Sequence, residues 1–155
     1  MKRCAVLLPT DGKRVLLGLK KRGFGQGKIV ELGGKIEPGE SPDDTARREL
    51  HEESNLQALD THAAGEVIFE FSARPDLNLH VFVFVTHRWE GVPCESDEIA
   101  PEWFETAALP YARMWADAPH WLPQVLRGEQ VKYRFVFADD GETIAQITLL
   151  EEHAH

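Results

Sequence analysis

Residues 31–56 read ELGGKIEPGESPDDTARRELHEESNL, and they set eight carboxylates against three fixed cations, Lys35, Arg47 and Arg48. The middle of this stretch predicts a helix over Ser41–Ser54. Ser41 can cap its start, Pro42 sits at the favoured first position, Asp44 completes an S-x-x-D capping pattern, and Asn55 tolerates the left-handed conformation that stops it. On that helix Glu49, Glu52 and Glu53 are spaced i, i+3, i+4 and project within an arc of about 100°. Three like charges so close destabilise a helix unless something positive neutralises them. By themselves they read most simply as a solvated acidic face; a hard divalent cation bridging carboxylates to substrate phosphates is the sharper alternative.

Around this segment the pattern is that of strands with a second helix. Arg3–Leu8 and Lys13–Leu19 read as a hairpin about Pro9-Thr10-Asp11-Gly12, followed by a loop, Lys20–Lys28, rich in glycine and bases. Gly65–Phe71 and Leu79–Trp89 have the aromatic and β-branched character of strands, with a turn at Arg74-Pro75-Asp76 between them. A short strand is expected around Glu102–Phe104, a helix over Ala118–Leu126, and a closing hairpin of Val131–Phe137 with Thr143–Leu149 around Asp139-Asp140-Gly141. Mixed strands with two helices imply an α/β or α+β sandwich. At 155 residues the chain is expected to form a single domain, residues 1–155.

A net charge of −9 argues against a nucleic-acid polymer or an anionic membrane as the main partner, because either requires a basic face. A phosphorylated small molecule remains compatible if divalent cations lie between it and the acids. The two cysteines, Cys4 and Cys94, form no CxxC pair, and no apolar run is long enough to span a bilayer, so a reducing, cytoplasmic setting is expected. The seven histidines show no metal-ligand spacing, and His153 and His155 read as a solvated tail.

The order of residues decides between the readings of the acidic face. Gly34, five residues, Glu40, seven residues, Arg48-Glu49-Leu50, one residue, Glu52-Glu53, one residue, Asn55 and Leu56 resembles the Nudix box, the loop-helix-loop signature of a family of hydrolases of nucleoside-diphosphate-linked compounds. Asn55 stands where that pattern has glycine, a mild change at a helix C-terminus. Outside the box, Val15–Gly25, Phe69–Phe71, His80–Phe82, Glu95–Glu98 with Trp103-Phe104, and Met114-Trp115 are similar to the MutT-like members that hydrolyse oxidised purine nucleoside triphosphates.

That resemblance implies an α/β/α sandwich around a central mixed sheet, with substrate phosphates directed toward the box helix. It implies Glu49, Glu52, Glu53, the Gly33 carbonyl and Glu98 as ligands of Mg²⁺, or Mn²⁺ in its place. Glu53 and Glu98 would be the candidates to deprotonate water, and Arg48 would orient a catalytic carboxylate. The reading of Arg48 from its charge alone is an ion pair with Glu40 or Glu52. Lys20, Phe24, Trp115 and Asp117 are the expected nucleotide contacts, the aromatics by stacking on the base. From sequence alone Asp117 also reads as the N-cap of the second helix, and Trp103 and Trp121 as core.

Two positions depart from the MutT-like pattern. Val30 stands where an asparagine reads the purine edge, and Ala118 follows Asp117 where a second aspartate stands. Polar readout of the base is expected to fall or change accordingly. The activity implied is hydrolysis of a nucleotide such as 8-oxo-dGTP to monophosphate and pyrophosphate by a monomer. The alternatives are another nucleoside diphosphate derivative, such as ADP-ribose or a dinucleoside polyphosphate, and a nucleotide-binding domain without catalysis.

Overall fold

The computed structural model describes residues 1–150; His153 and His155 lie outside the described residues. The chain forms β1 (Lys2–Pro9), β2 (Arg14–Lys20), β3 (Ile29–Val30), β4 (Gly33–Lys35), α1 (Pro42–Ser54), β5 (Gln57–Ala58), β6 (His62–Phe71), β7 (Leu79–Thr86), β8 (Trp89–Glu90), β9 (Ile99–Glu105), α2 (Ala118–Leu126), β10 (Val131–Phe137) and β11 (Ile144–Leu149). A six-stranded mixed sheet runs β11-β10-β6-β7-β1-β4, a three-stranded sheet runs β3-β2-β9, and β5 pairs with β8.

β1 is the axis of the fold because both of its faces are apolar, the pattern of a strand covered on two sides. Ala5 and Leu7 join a core with Leu16, Leu32 and the α1 residues Ala46 and Leu50. Val6 and Leu8 point the other way, into a larger core containing Val15, Phe135 and the α2 residues Trp121, Leu122 and Val125. The result is the expected α/β/α arrangement about a mixed sheet, in which β1–β7 and β6–β10 are the parallel pairs.

α1 forms where local signals place it. Ser41 Oγ accepts a hydrogen bond from Asp44 N at 3.1 Å, and Asp44 Oδ2 accepts one from Ser41 N at 3.1 Å, closing the capping box. Asn55 ends the helix in the left-handed region at φ 68°, its N–H donating to His51 O. The buried residues Ala46, Leu50, Glu53 and Ser54 recur at helical spacing, so one carboxylate, Glu53, lies on the stripe that faces the core.

Other expectations needed correction. β1 and β2 do not form a hairpin ladder: one isolated bridge, Thr10–Val15, joins them, and β2 turns away to pair with β3 and β9. The strand expected over Leu79–Trp89 is broken after Thr86. Asp60 Oδ1 accepts from Thr86 Oγ1, His87 N and Arg88 N at 2.8, 3.0 and 3.2 Å, which bends the chain and sends Trp89 to a different partner, Ala58 of β5. The strand expected at Glu102–Phe104 extends over Ile99–Glu105, and β3, β4 and β5 were too short to be read from periodicity.

Candidate active site

The organising group is Arg48 on the exposed flank of α1. Its Nε and Nη2 donate to the two oxygens of Glu40 at 2.7 and 2.9 Å, while Nη1 donates to Glu49 Oε1 at 2.9 Å and reaches Glu52 at 3.3 Å. Nη2 also reaches the Lys35 carbonyl at 3.3 Å. The two readings of Arg48, ion pair with Glu40 and orienter of a carboxylate, are therefore one arrangement. A planar guanidinium with five donors on three nitrogens can make a two-pronged pair with one acid while reaching two others, which the single nitrogen of an ammonium cannot. Glu40 is held further by Thr45 Oγ1 and Glu37 N, and its hydrogen bonds with Arg48 lead the causes that bring its carboxyl down to about 2.

Behind Arg48, Glu53 projects from the buried stripe of α1 to the start of β4, where its Oε1 accepts from Gly33 N at 2.8 Å. Both glycines there are required by close approach. A Cβ on Gly33 would stand 2.2 Å from the Ala5 carbonyl of β1, and one on Gly34 would stand 2.5 Å from the Glu49 carboxyl carbon. Burial, followed by the nearby Glu49 charge, pushes the Glu53 carboxyl up to about 8. Burial raises Glu49 as well, against the pull of Arg48. Two partly desolvated carboxylates side by side, with Glu52 near by, are short of positive charge.

Glu98 arrives from the loop before β9 and contributes charge to both Glu49 and Glu53. Its carboxylate is mostly exposed and pairs with Arg22 at 3.2 Å. Among the described residues no three His, Cys, Asp or Glu side chains converge closely enough to hold a metal ion as they stand. The donors are nevertheless hard oxygens around an unneutralised carboxylate pair, the chemistry that suits a divalent cation of the Mg²⁺ type.

The Glu53–Gly33 end opens into a cavity of about 210 Å³. Val6, Phe69, Phe71, Val81 and Phe137 form its apolar wall, and Lys20, Phe24, Trp115 and Asp117 also line it. Four expected nucleotide contacts thus meet in one space that also reaches one box carboxylate, Glu53. Phe24 and Trp115 stack on each other, with ring centroids 5.1 Å apart, and Lys28 Nζ lies 4.6 Å from the centre of the Trp115 ring.

Asp117 occupies the N-cap position of α2 but does not cap it. Its backbone is helical there, and its carboxylate accepts from Trp121 Nε1 at 2.7 Å instead. Burial pushes the Asp117 carboxyl up to about 6. Trp121 is core, as expected; Trp103 is only partly buried, with Arg14 packed 4.0 Å from its ring centre.

The residue that sequence reasoning left without a role is Glu31. It lines the same cavity, and burial together with the Asp117 charge pushes its carboxyl up to about 8. Nothing local in the sequence distinguishes it from an ordinary loop acid; its neighbours Ile29 and Leu32, both buried, are the only hint that the segment runs inside. Val30, the position expected to face the base, lines the cavity but also packs against the α1-side core.

The NUDIX domain model matches residues 2–125. The chain is 40% identical over 146 residues to the oxidized purine nucleoside triphosphate hydrolase of Mus musculus, covering 94% of this chain and 92% of the mouse protein. It is 42% identical over 136 residues to the protein of that name from Danio rerio, covering 88% and 86%. A crystal structure of a MutT protein from Bacillus halodurans superposes with a TM-score of 0.81 at 24% identity, covering 96% of this chain and 97% of the other, a likeness of fold.

Proposed function

Because this chain belongs to the NUDIX family, we propose that it hydrolyses nucleoside triphosphates to monophosphate and pyrophosphate, with oxidised purine nucleotides such as 8-oxo-dGTP as its substrates. The observation that carries this reading is the continuity of one cavity, from Glu53 and Gly33 at the helix to Phe24, Trp115 and Asp117 at the far end. Such a space takes phosphates at one end and a base at the other. The similarity to animal oxidized purine nucleoside triphosphate hydrolases over most of both chains supports the choice of substrate.

In this reading Glu49, Glu52, Glu53, Glu98 and the Gly33 carbonyl would hold divalent cations, Mg²⁺ or Mn²⁺. Bound there, such ions would neutralise phosphate charge and lower the pKa of a coordinated water. The remaining work falls to the chain itself. Arg48 fixes Glu49 and Glu52 on the exposed side of α1 and is a positioning residue. Lys20, close enough to lower the Glu53 pKa, brings positive charge to the phosphate end. Glu53 and Glu98 are the groups placed to take the proton of the attacking water as its oxygen bonds to phosphorus and pyrophosphate leaves. Phosphoryl transfer demands mainly positioning and electrostatics, and a helix face locked by one guanidinium supplies both. Phe24 and Trp115 close the base end, where stacking contributes roughly 1–3 kcal/mol per base.

Pyrophosphate release in the presence of Mg²⁺, measured over normal and oxidised purine nucleoside triphosphates and ADP-ribose, tests the reading. Turnover of an oxidised purine triphosphate above its normal counterpart supports it. Preferential cleavage of ADP-ribose would move the chain to another substrate class, and nucleotide binding without any turnover would make it a binding domain.

No helix among the described residues is long and apolar enough to cross a membrane.

A further inference from the structure

Within the cavity two of the three acids already have partners. Glu53 accepts from Gly33 N, and Asp117 Oδ2 accepts from Trp121 Nε1. Glu31 differs: among the described residues no hydrogen bond joins its carboxylate to another side chain, and it shares the cavity lining with a second acid, Asp117. It lines a space whose wall is largely Val6, Phe69, Phe71, Val81 and Phe137, so nothing apolar can satisfy it. Its carboxylate is half-buried, so solvent serves it while the cavity is open, and a ligand that displaces that solvent must supply the donors in its place.

Resting on the reading that this cavity receives a nucleobase, we propose that Glu31 is a specificity-determining residue, which with Asp117 selects a base carrying two adjacent N–H donors on one edge, a 2-amino-6-oxopurine. The two oxygens of one carboxylate match the parallel N1–H and N2–H of such a base. Hypoxanthine lacks the 2-amino donor and leaves one oxygen unpaired. Adenine sets an acceptor, N1, against the carboxylate. Discrimination comes from polar groups that only the right base satisfies. Asp117, with Oδ1 uncommitted to Trp121, can take a further donor. Val30 offers no polar group, so the task that the sequence left open at that position passes to its neighbour.

The test compares kcat/KM for deoxyguanosine and deoxyinosine triphosphates, each normal and 8-oxidised, in the wild type, Glu31→Ala and Glu31→Gln. We expect the wild type to favour guanine at least tenfold, and the guanine-to-hypoxanthine ratio to fall at least fivefold in Glu31→Ala. Glu31→Gln keeps the volume but sets an amide N–H₂ against a base donor, so the ratio falls there too, and this variant carries the test if the alanine variant does not fold. A wild type without preference, or a ratio unchanged in Glu31→Gln, overturns the assignment while leaving hydrolysis intact. A wild type that turns over none of the four nucleotides overturns the proposed function itself, and this assignment with it.

Discussion

Arg48 and Glu40 meet in a two-pronged pair, Nε to Oε2 at 2.7 Å and Nη2 to Oε1 at 2.9 Å, across the eight residues that separate the loop from the middle of α1. Because the third nitrogen of the same guanidinium holds Glu49, the pair ties the geometry of a loop to that of a carboxylate at the site. Arg48→Lys keeps the charge but cannot make the two-pronged pair with Glu40 while holding Glu49. We expect kcat to fall about 100-fold in Arg48→Lys, the scale of a small misplacement of reacting groups, with KM changing much less. The charge-assisted bonds also stabilise the fold by about 1–2 kcal/mol, so the thermal midpoint should drop by a few degrees. An unchanged kcat would reduce Arg48 to a structural ion pair.

The carboxyl of Glu53 is raised in the fold from 4.5 to about 8. A raised folded-state value means that the folded protein holds this proton more tightly than the unfolded chain. The stability it contributes is therefore full below about pH 4.5 and is lost as pH rises toward 8. Metal-free protein should lose stability between pH 5 and 8, and Mg²⁺ should restore more of it at pH 8 than at pH 6. Thermal melts with Mg²⁺ or EDTA at the two pH values measure this. Glu53→Gln should flatten the metal-free dependence, and a wild type whose Mg²⁺ stabilisation is equal at both values would contradict the placement of Glu53 in an acidic, desolvated site.

Adjacent glycines should fail in different ways. Gly33→Ala drives a methyl into the Ala5 carbonyl of β1, a backbone atom that cannot move without breaking the β1–β4 pairing. Gly34→Ala meets the end of a flexible side chain, Glu49. The first should cost several kcal/mol and yield little folded protein. The second should fold, with a thermal midpoint within a few degrees of wild type, and lose activity at least tenfold because Glu49 is displaced. Comparable stability in the two variants would refute the distinction.

At the end of α1, Asn55 occupies the left-handed region at φ 68°. Asn55→Gly should be neutral or stabilise by up to about 0.5 kcal/mol, and Asn55→Ala should destabilise by about 1 kcal/mol, since a Cβ without a compensating polar group is strained there. Urea unfolding midpoints read the difference directly.

What the sequence disclosed depended on how local the physics was. α1 was legible to its caps because Ser41, Asp44 and Asn55 act on neighbours within one turn. The cluster of Glu49, Glu52 and Glu53 followed from helical spacing, and the spread of matching residues named its family. Pairing across the chain was not legible. The turn at Asp11-Gly12 has hairpin composition, yet β1 is claimed by β7 and β4 while β2 is claimed by β9, partners chosen by burial of both faces of β1. The break after Thr86 depends on Asp60, twenty-six residues away. Asp117 was read as a cap because capping is a local rule, and a tertiary partner four residues on, the Trp121 indole, takes its carboxylate instead. Glu31 carried no periodic or motif signal, and only the closure of the cavity shows what surrounds it.

The most direct measurement is Mg²⁺-dependent release of pyrophosphate from 8-oxo-dGTP by the wild type and by Glu53→Gln, with folding of both confirmed by thermal melting. The expected result is rapid turnover by the wild type and a loss of at least 1,000-fold in the variant, whose fold survives because Gln retains the contact with Gly33 N–H. Normal hydrolysis by Glu53→Gln would contradict the assignment of the α1 carboxylates to the catalytic centre.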